Sequence, residues 1–260
     1  MQIFNTRFSL PFFIWISFTN IASAETLTED PSNKTLPLDL AIVGLGGLGY
    51  WGAHFIPMNI DTQRSTPQGI DGWIDPQWNP QWKGTSDFLG TPYANYGFNL
   101  PVLTTVSMAT WGIQTQNSWS TAIPVAQAVA ITGVVTELTK RLVARPRPYT
   151  SAAFEAKYPE VYDSEEMKVL RANNDTFKSF PSGHTSNAAT TYFSSAVMIA
   201  AHYEDPTIDA LAYGTASVLT VLTGYSRVRY GKHHITDTVV GAVIGTGIGW
   251  GVAHWHLRRD

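Results

Sequence analysis

Three clusters of residues in this 260-residue chain have types and spacings that could do chemistry. The first is Lys140-Arg141-Leu142-Val143-Ala144-Arg145-Pro146-Arg147-Pro148. The second is Phe180-Pro181-Ser182-Gly183-His184-Thr185. The third is Ser226-Arg227, followed after five residues by His233 and after three more by Asp237. Ser182-Gly183-His184 stands directly before a charge-free stretch, so its backbone N–H groups can point at an anion at the positive end of a helix dipole. Gly183 lets the backbone come close to a ligand, and Ser182 adds a hydroxyl donor. Lys140, Arg147 and Arg227 supply cations, and a guanidinium can grip phosphate oxygens in a two-pronged way. His233 and Asp237 are four apart, hence on one face if the segment is helical. A carboxylate bonded to one ring nitrogen would fix the tautomer and leave the other nitrogen free to attack. His184 offers a second imidazole, able to protonate a leaving group. Together these make an oxyanion cradle, a nucleophile with an orienter, and an acid: a phosphoryl-transfer site that needs neither metal nor cofactor.

Taken singly, each cluster has a plainer reading. Lys140 and Arg147 could flank a helix end, Pro181-Ser182-Gly183 could be a loop-to-helix cap, His233 a surface histidine, and Asp237 a first-turn acid. The joint pattern overrides these readings. Other residues keep the plain one. Gly44, Gly46 and Gly49 fit G-x-G-x-x-G after an apolar run, but no βαβ unit follows, so close helix packing is the expectation. His234 breaks the register of the third cluster. His54, His202, His254 and His256 read as structural residues at helix ends or interfaces. Arg141, Arg145, Lys178, Arg229 and Lys232 would raise the positive potential near the site without touching phosphate. Trp73, Trp78, Trp82, Trp111 and Trp119 fit an interfacial belt, a substrate groove or a packed loop.

The elements that must position the clusters are legible from missing charge. No Asp, Glu, Lys or Arg occurs in residues 40–60, 88–136, 184–203, 210–226 or 238–257. The second gap holds two helices, with a turn at Gln114-Thr115-Gln116-Asn117-Ser118. That gives six apolar helices near the roughly 20 residues needed to cross a bilayer. With no strand–helix alternation and no internal repeat, the class is all-α. These helices are rich in Gly, Ala, Ser and Thr, which suits close packing in a membrane and also a bundle interior. Arg7, an apolar run over residues 8–18, and Ala22-Ser23-Ala24 before Glu25 read as a secretory signal peptide over residues 1–24. Residues 25–37 then form an exported linker, and residues 38–260 one domain. After a cleaved leader, three full crossings would leave residues 140–184 in the cytoplasm. If residues 40–60 do not cross, that region lies on the outer side. The net charge of −3 gives no reason to expect a nucleic-acid partner, and the absence of cysteine excludes disulfides, thiolate metal sites and cysteine nucleophiles.

The pattern Lys-x6-Arg-Pro, Pro-Ser-Gly-His, Ser-Arg-x5-His-x3-Asp resembles the signature of the type 2 phosphatidic acid phosphatase (PAP2) and vanadium haloperoxidase superfamily. All eleven specified positions match, in family order. The resemblance runs from about residue 38 to residue 255, with its motifs in residues 140–237, and implies a six-helix bundle. It further implies that Lys140, Arg147, Ser182, Gly183 and Arg227 bind the phosphate. His233 would become phosphohistidine, held by Asp237, and His184 would protonate the leaving alcohol and then activate water. The activity so implied is metal-independent hydrolysis of a phosphomonoester or pyrophosphate, on a phosphorylated lipid or a small phosphoester. The expected place is the cell membrane or periplasm, with the site on the outer face. Transfer to an acceptor alcohol is a close variant. A vanadium-dependent haloperoxidase and a catalytically inactive lipid-binding protein are the competing classes.

Overall fold

The computed structural model describes residues 31–58, 60, 69–73, 100–116 and 120–259. Among these residues the structure is all-helical, and six long helices coincide with the six apolar segments. They are α1 (Pro31–Ala53), α3 (Leu100–Gln116), α4 (Ala122–Val143), α8 (Gly183–Tyr203), α9 (Pro206–Arg229) and α10 (Ile235–Leu257). Short helices fill the connections: α2 (Ile70–Trp73), α5 (Ala152–Lys157), α6 (Pro159–Tyr162) and α7 (Glu165–Ala172), with 3₁₀ turns at Pro148–Thr150 and Asn174–Phe177. The expected signal peptide, Trp78, Trp82 and Trp119 lie outside the described residues. Helix α1 starts at Pro31, inside the segment read as linker.

Helix α8 is the centre of the bundle and touches α3, α4, α9 and α10. Its contact with α10 is set by a ladder of glycines. A Cβ added at Gly241, Gly245 or Gly249 would stand 2.7, 2.1 or 2.5 Å from the carbonyl oxygens of Ser182, Ser186 and Thr190 respectively. Both series advance by four, so two small-residue faces meet along three turns with their backbones nearly touching. The same device joins α1 to α4: a Cβ at Gly46 would lie 2.7 Å from Ala130 Cβ, and one at Gly49 3.1 Å from Val134. Gly44 meets nothing within 4 Å. The dinucleotide-like glycine pattern is thus a helix-crossing face.

Hydroxyls stitch the interior. Thr132 and Thr190 share a 2.8 Å hydrogen bond between α4 and α8. At the end remote from the three clusters, Asp39 accepts from Gln127 and Arg259, and the His256 ring meets Gln127 at 2.8 Å. His54 and His254 bond carbonyls one turn back in their own helices, and Trp111 packs edge-on against His202 at 4.7 Å. These histidines are structural, as expected, and Trp111 takes the packing role.

The outer surface is apolar. Leu45, Leu48 and Trp51 on α1, Val218 and Val221 on α9, and Val243 and Trp250 on α10 are exposed. Three stretches, Thr35–Ala53, Ala122–Lys157 and Ile235–Leu257, are long and apolar enough to cross a membrane. The bundle is therefore a membrane helical fold with its polar atoms turned inward.

One end of this bundle gathers the chemistry. Arg141 at the end of α4 donates to the Ile56 carbonyl just past α1. The start of α8 donates from Ser182 N to the Asp237 carbonyl of α10 at 2.9 Å. Gly224, near the end of α9, lies against Thr185 and Thr238. So the C-terminal ends of α1, α4 and α9 and the N-terminal ends of α8 and α10 converge.

Candidate active site

His233 sits in the tight connection between α9 and α10. Gly231 makes that connection possible: its φ of 72° is a left-handed conformation that glycine enters without strain. The chain reverses there, and Lys232 N donates back to the Arg227 carbonyl. His233 is 1% exposed. Its Nδ1 donates to the Ser179 carbonyl at 2.7 Å, and its Nε2 lies 3.3 Å from Arg147 Nη1. A guanidinium has no lone pair to offer, so Nε2 must be the acceptor and Nδ1 the protonated nitrogen. Burial pushes the His233 pKa well below its ordinary 6.5, and the charges of Arg147 and Arg227 push the same way; Asp237 opposes them. The ring is neutral, with the basic nitrogen facing the cations.

The expected orienter works at one remove. Asp237 lies 3.7 Å from His233 Nδ1, beyond hydrogen-bonding distance. Its Oδ2 accepts instead from the Ser179 hydroxyl at 2.5 Å and from His234 N at 2.9 Å, and its Oδ1 accepts from Arg145 Nη1 at 2.5 Å. The reason is local: Asp237 is the third residue of α10, where a carboxylate folds back to cap the amide before the helix. Asp237 therefore fixes Ser179, and the Ser179 carbonyl holds the ring. His234 is the N-cap residue, buried, with its ring against the Pro146 carbonyl.

Arg147 is placed by its surroundings. Its Nε and Nη2 donate to the carbonyl and carboxylate of Asp175, each at 2.9 Å, and Nη1 donates to the Lys232 carbonyl at 2.9 Å. Although burial raises the Asp175 pKa, Arg147, Lys140 and Lys178 outweigh it and hold that carboxyl well below its usual range. Arg227 is buried in the last turn of α9. Ser182 is the N-cap of α8: its Oγ accepts from Thr185 N and from the Thr185 hydroxyl, leaving its own proton to donate elsewhere. His184 is half-buried in the first turn of α8.

Gly183 is required by Lys140. A Cβ at residue 183 would stand 2.8 Å from Lys140 Nζ. Since the obstructed atom is the tip of a flexible side chain, Gly183→Ala should displace the ammonium and leave the fold standing. We expect a rise in KM of about tenfold, as for loss of one charge-assisted hydrogen bond, with an unchanged melting temperature. Kinetics and thermal melting of the variant check this.

The accessory basic residues are already engaged. Arg145 bridges Asp237 and Asp71, and Arg141 and Lys178 both donate to Glu137 Oε1, at 2.9 and 2.8 Å. Lys232 lies over the rings of Tyr149 and Tyr230 at 5.0 and 5.1 Å. Ser179, Glu137, Asp175 and Asp71 were not singled out from sequence. Glu137 left a readable trace, standing four residues before Arg141. Ser179 acts partly through its carbonyl, which has no sequence signature.

A family model described as the PAP2 superfamily matches residues 121–260. No curated protein sequence matches the chain. Among solved structures, the chain is similar to the crystal structure of the first transmembrane PAP2 type phosphatidylglycerolphosphate phosphatase from Bacillus subtilis. That likeness has a TM-score of 0.54 at 18% identity and covers 85% of this chain and 97% of that one. The fold is shared, and the family match takes in Lys140, Arg147, the Ser182–His184 helix start, Arg227, His233 and Asp237. This chain belongs to the PAP2 superfamily.

Proposed function

We propose that the chain is a phosphatase acting on a lipid phosphomonoester or pyrophosphate, without a metal ion, through a phosphohistidine at His233. The observation that carries this reading is the His233 ring itself. It is neutral and buried, with Nδ1 tied to the Ser179 carbonyl and Nε2 turned to Arg147. In the proposed cycle, Nε2 attacks phosphorus and the ester P–O bond breaks. His184 gives its proton to the departing alcohol. His184 then takes a proton from water, whose oxygen attacks the phosphohistidine. Phosphate leaves and His233 is restored. Lys140, Arg147, Arg227, Ser182 and the Gly183 amide, at the N-terminus of α8, stabilise charge on the phosphoryl oxygens. The apolar outer surface and the phosphatidylglycerolphosphate named for the Bacillus subtilis structure favour a lipid substrate.

The test is phosphate release from an aryl phosphate and from phosphatidate in the presence of a chelator. We expect chelator-resistant release, faster from the lipid. Loss of activity on chelation, restored by a metal, would defeat the metal-free mechanism.

Helix direction relates the site to the two ends of the chain. Helix α1 runs toward the site and α10 runs away from it, so the chain's C-terminus marks the side opposite the site. We place the site on the outer face, because Arg258 and Arg259 directly follow α10 and short basic segments stay in the cytoplasm. This placing needs the start of α1 inside, whereas a leader carried across needs it outside, so the two sequence expectations compete. A reporter fused after Asp260 should be active in the cytoplasm. Activity outside would put the site in the cytoplasm and favour the leader.

A further inference from the structure

We propose that Asp71, on the short helix α2, is a positioning residue for His233 and acts through four linked groups. The inference rests on the phosphatase reading and adds a residue outside the family-matched segment 121–260. Asp71 is 8% exposed. Its Oδ1 accepts from Thr236 N at 3.0 Å, and its Oδ2 accepts from Thr236 Oγ1 at 2.5 Å and from Arg145 Nη2 at 2.8 Å. Asp71 thereby satisfies one of the exposed amides at the start of α10 and pins that helix to the chain segment before α3.

The chain of contacts continues toward the ring. Arg145 Nη1 donates to Asp237 Oδ1 at 2.5 Å and to Thr236 Oγ1 at 2.7 Å. Asp237 Oδ2 accepts from the Ser179 hydroxyl at 2.5 Å. Ser179 N donates to the Arg145 carbonyl at 3.0 Å, which closes a ring of bonds around this residue. The Ser179 carbonyl then accepts from His233 Nδ1 at 2.7 Å. Every link is a charge-assisted or buried hydrogen bond, the kind whose geometry is held most tightly.

The arrangement also has a charge logic. Asp237 and Asp71 share one guanidinium, so Arg145 is balanced on both sides. Without Asp71, Arg145 keeps one carboxylate partner among the described residues, and its Nη2 loses the bond they give it. Asp237, drawn with it, would no longer fix Ser179. The path meets the phosphate-binding set at Ser182, whose N–H donates to the Asp237 carbonyl, and at Arg147, whose Nη1 donates to His233 Nε2; neither bond uses the Asp237 carboxylate that Arg145 holds. Loss of Asp71 should therefore disturb attack more than binding.

The test is Asp71→Asn, which keeps the shape and the acceptor for Thr236 N but turns an amide donor toward Arg145. We expect kcat to fall on the order of ten- to a hundredfold, the cost of misplacing a reacting group by a fraction of an ångström to one ångström. KM and inhibition by inorganic phosphate should change less than about twofold, because Arg147 keeps its own bonds to Asp175 and to the Lys232 carbonyl. Asp71→Asn combined with Ser179→Ala should be little worse than the poorer single variant, because both act along one path. The readout independent of turnover is the NMR signal of the His233 Nδ1 proton in histidine-labelled protein. It should exchange with solvent faster in Asp71→Asn than in the wild type. An unchanged kcat per folded molecule, equal changes in kcat and phosphate inhibition, or an unaltered Nδ1 signal would each overturn the proposal. Absence of phosphatase activity in the wild type would instead overturn the proposed function, while the Nδ1 signal would still decide whether Asp71 holds the ring.

Discussion

His233→Ala is expected to lower phosphate release by at least about a thousandfold, the scale on which removing a nucleophile acts when the rest of the site remains. What remains here is substantial: Lys140, Arg147, Arg227 and the start of α8 would still bind the phosphate. KM should therefore stay near that of the wild type while kcat collapses. The variant leaves the buried Ser179 carbonyl without its Nδ1 donor, which costs about 1–3 kcal/mol of stability, so the assay belongs well below the melting temperature. Arg147 keeps its bonds to Asp175 and to the Lys232 carbonyl, so the cation is not released by the change. A quenched wild-type reaction should contain a phosphoryl group linked to protein through nitrogen, lost in acid and retained in alkali. His233→Ala should contain none. Release by the variant within about tenfold of the wild type would remove His233 from the chemistry.

Much of this architecture was legible because a membrane-type bundle hides its polar atoms and excludes charge. The charge-free gaps located all six long helices, yet they understated each helix that carries site residues. Residues 210–226 became Pro206–Arg229, since Arg227 is buried in the last turn, and residues 238–257 became Ile235–Leu257, since Asp237 caps the first. At the N-terminus, Asp39 read as the border of an apolar span. It lies inside α1, buried and paired with Gln127 and Arg259 from distant parts of the chain. A charge with a partner does not end a helix, and the partner cannot be seen locally. The same limit hid Asp71, which bonds a residue 165 positions away. It also hid Ser179, whose carbonyl accepts from His233 Nδ1. The eight site residues read from the motifs lie at the end of the bundle where five helix ends meet, because side chains at helix termini leave a mark that backbone atoms do not.

The second large effect belongs to Gly245. The starts of α8 and α10 meet at the site, where Ser182 N donates to the Asp237 carbonyl, and their close crossing keeps those two ends together. That crossing leaves no room at Gly245: an added Cβ would stand 2.1 Å from the Ser186 carbonyl oxygen, 2.8 Å from Ala189 Cβ and 2.9 Å from the Ser186 carbonyl carbon. Two of these are backbone atoms of the central helix, which cannot rotate aside as the Lys140 ammonium can. Gly245→Ala must therefore push α10 away from α8 by roughly an ångström, and overpacking of this kind costs about 1–3 kcal/mol. The gain in helix propensity from glycine to alanine, about 1 kcal/mol, offsets part of that at most. If His233 attacks as proposed, displacement of that size between it and the start of α8 should also cost on the order of a hundredfold in kcat. Gly247 supplies the control, since a Cβ there meets nothing within 4 Å. Gly247→Ala should melt at or slightly above the wild-type temperature and keep full activity, whereas Gly245→Ala should melt lower and lose it. A Gly245→Ala protein as stable and active as the wild type would mean that the ladder of Gly241, Gly245 and Gly249 does not set the spacing of the site.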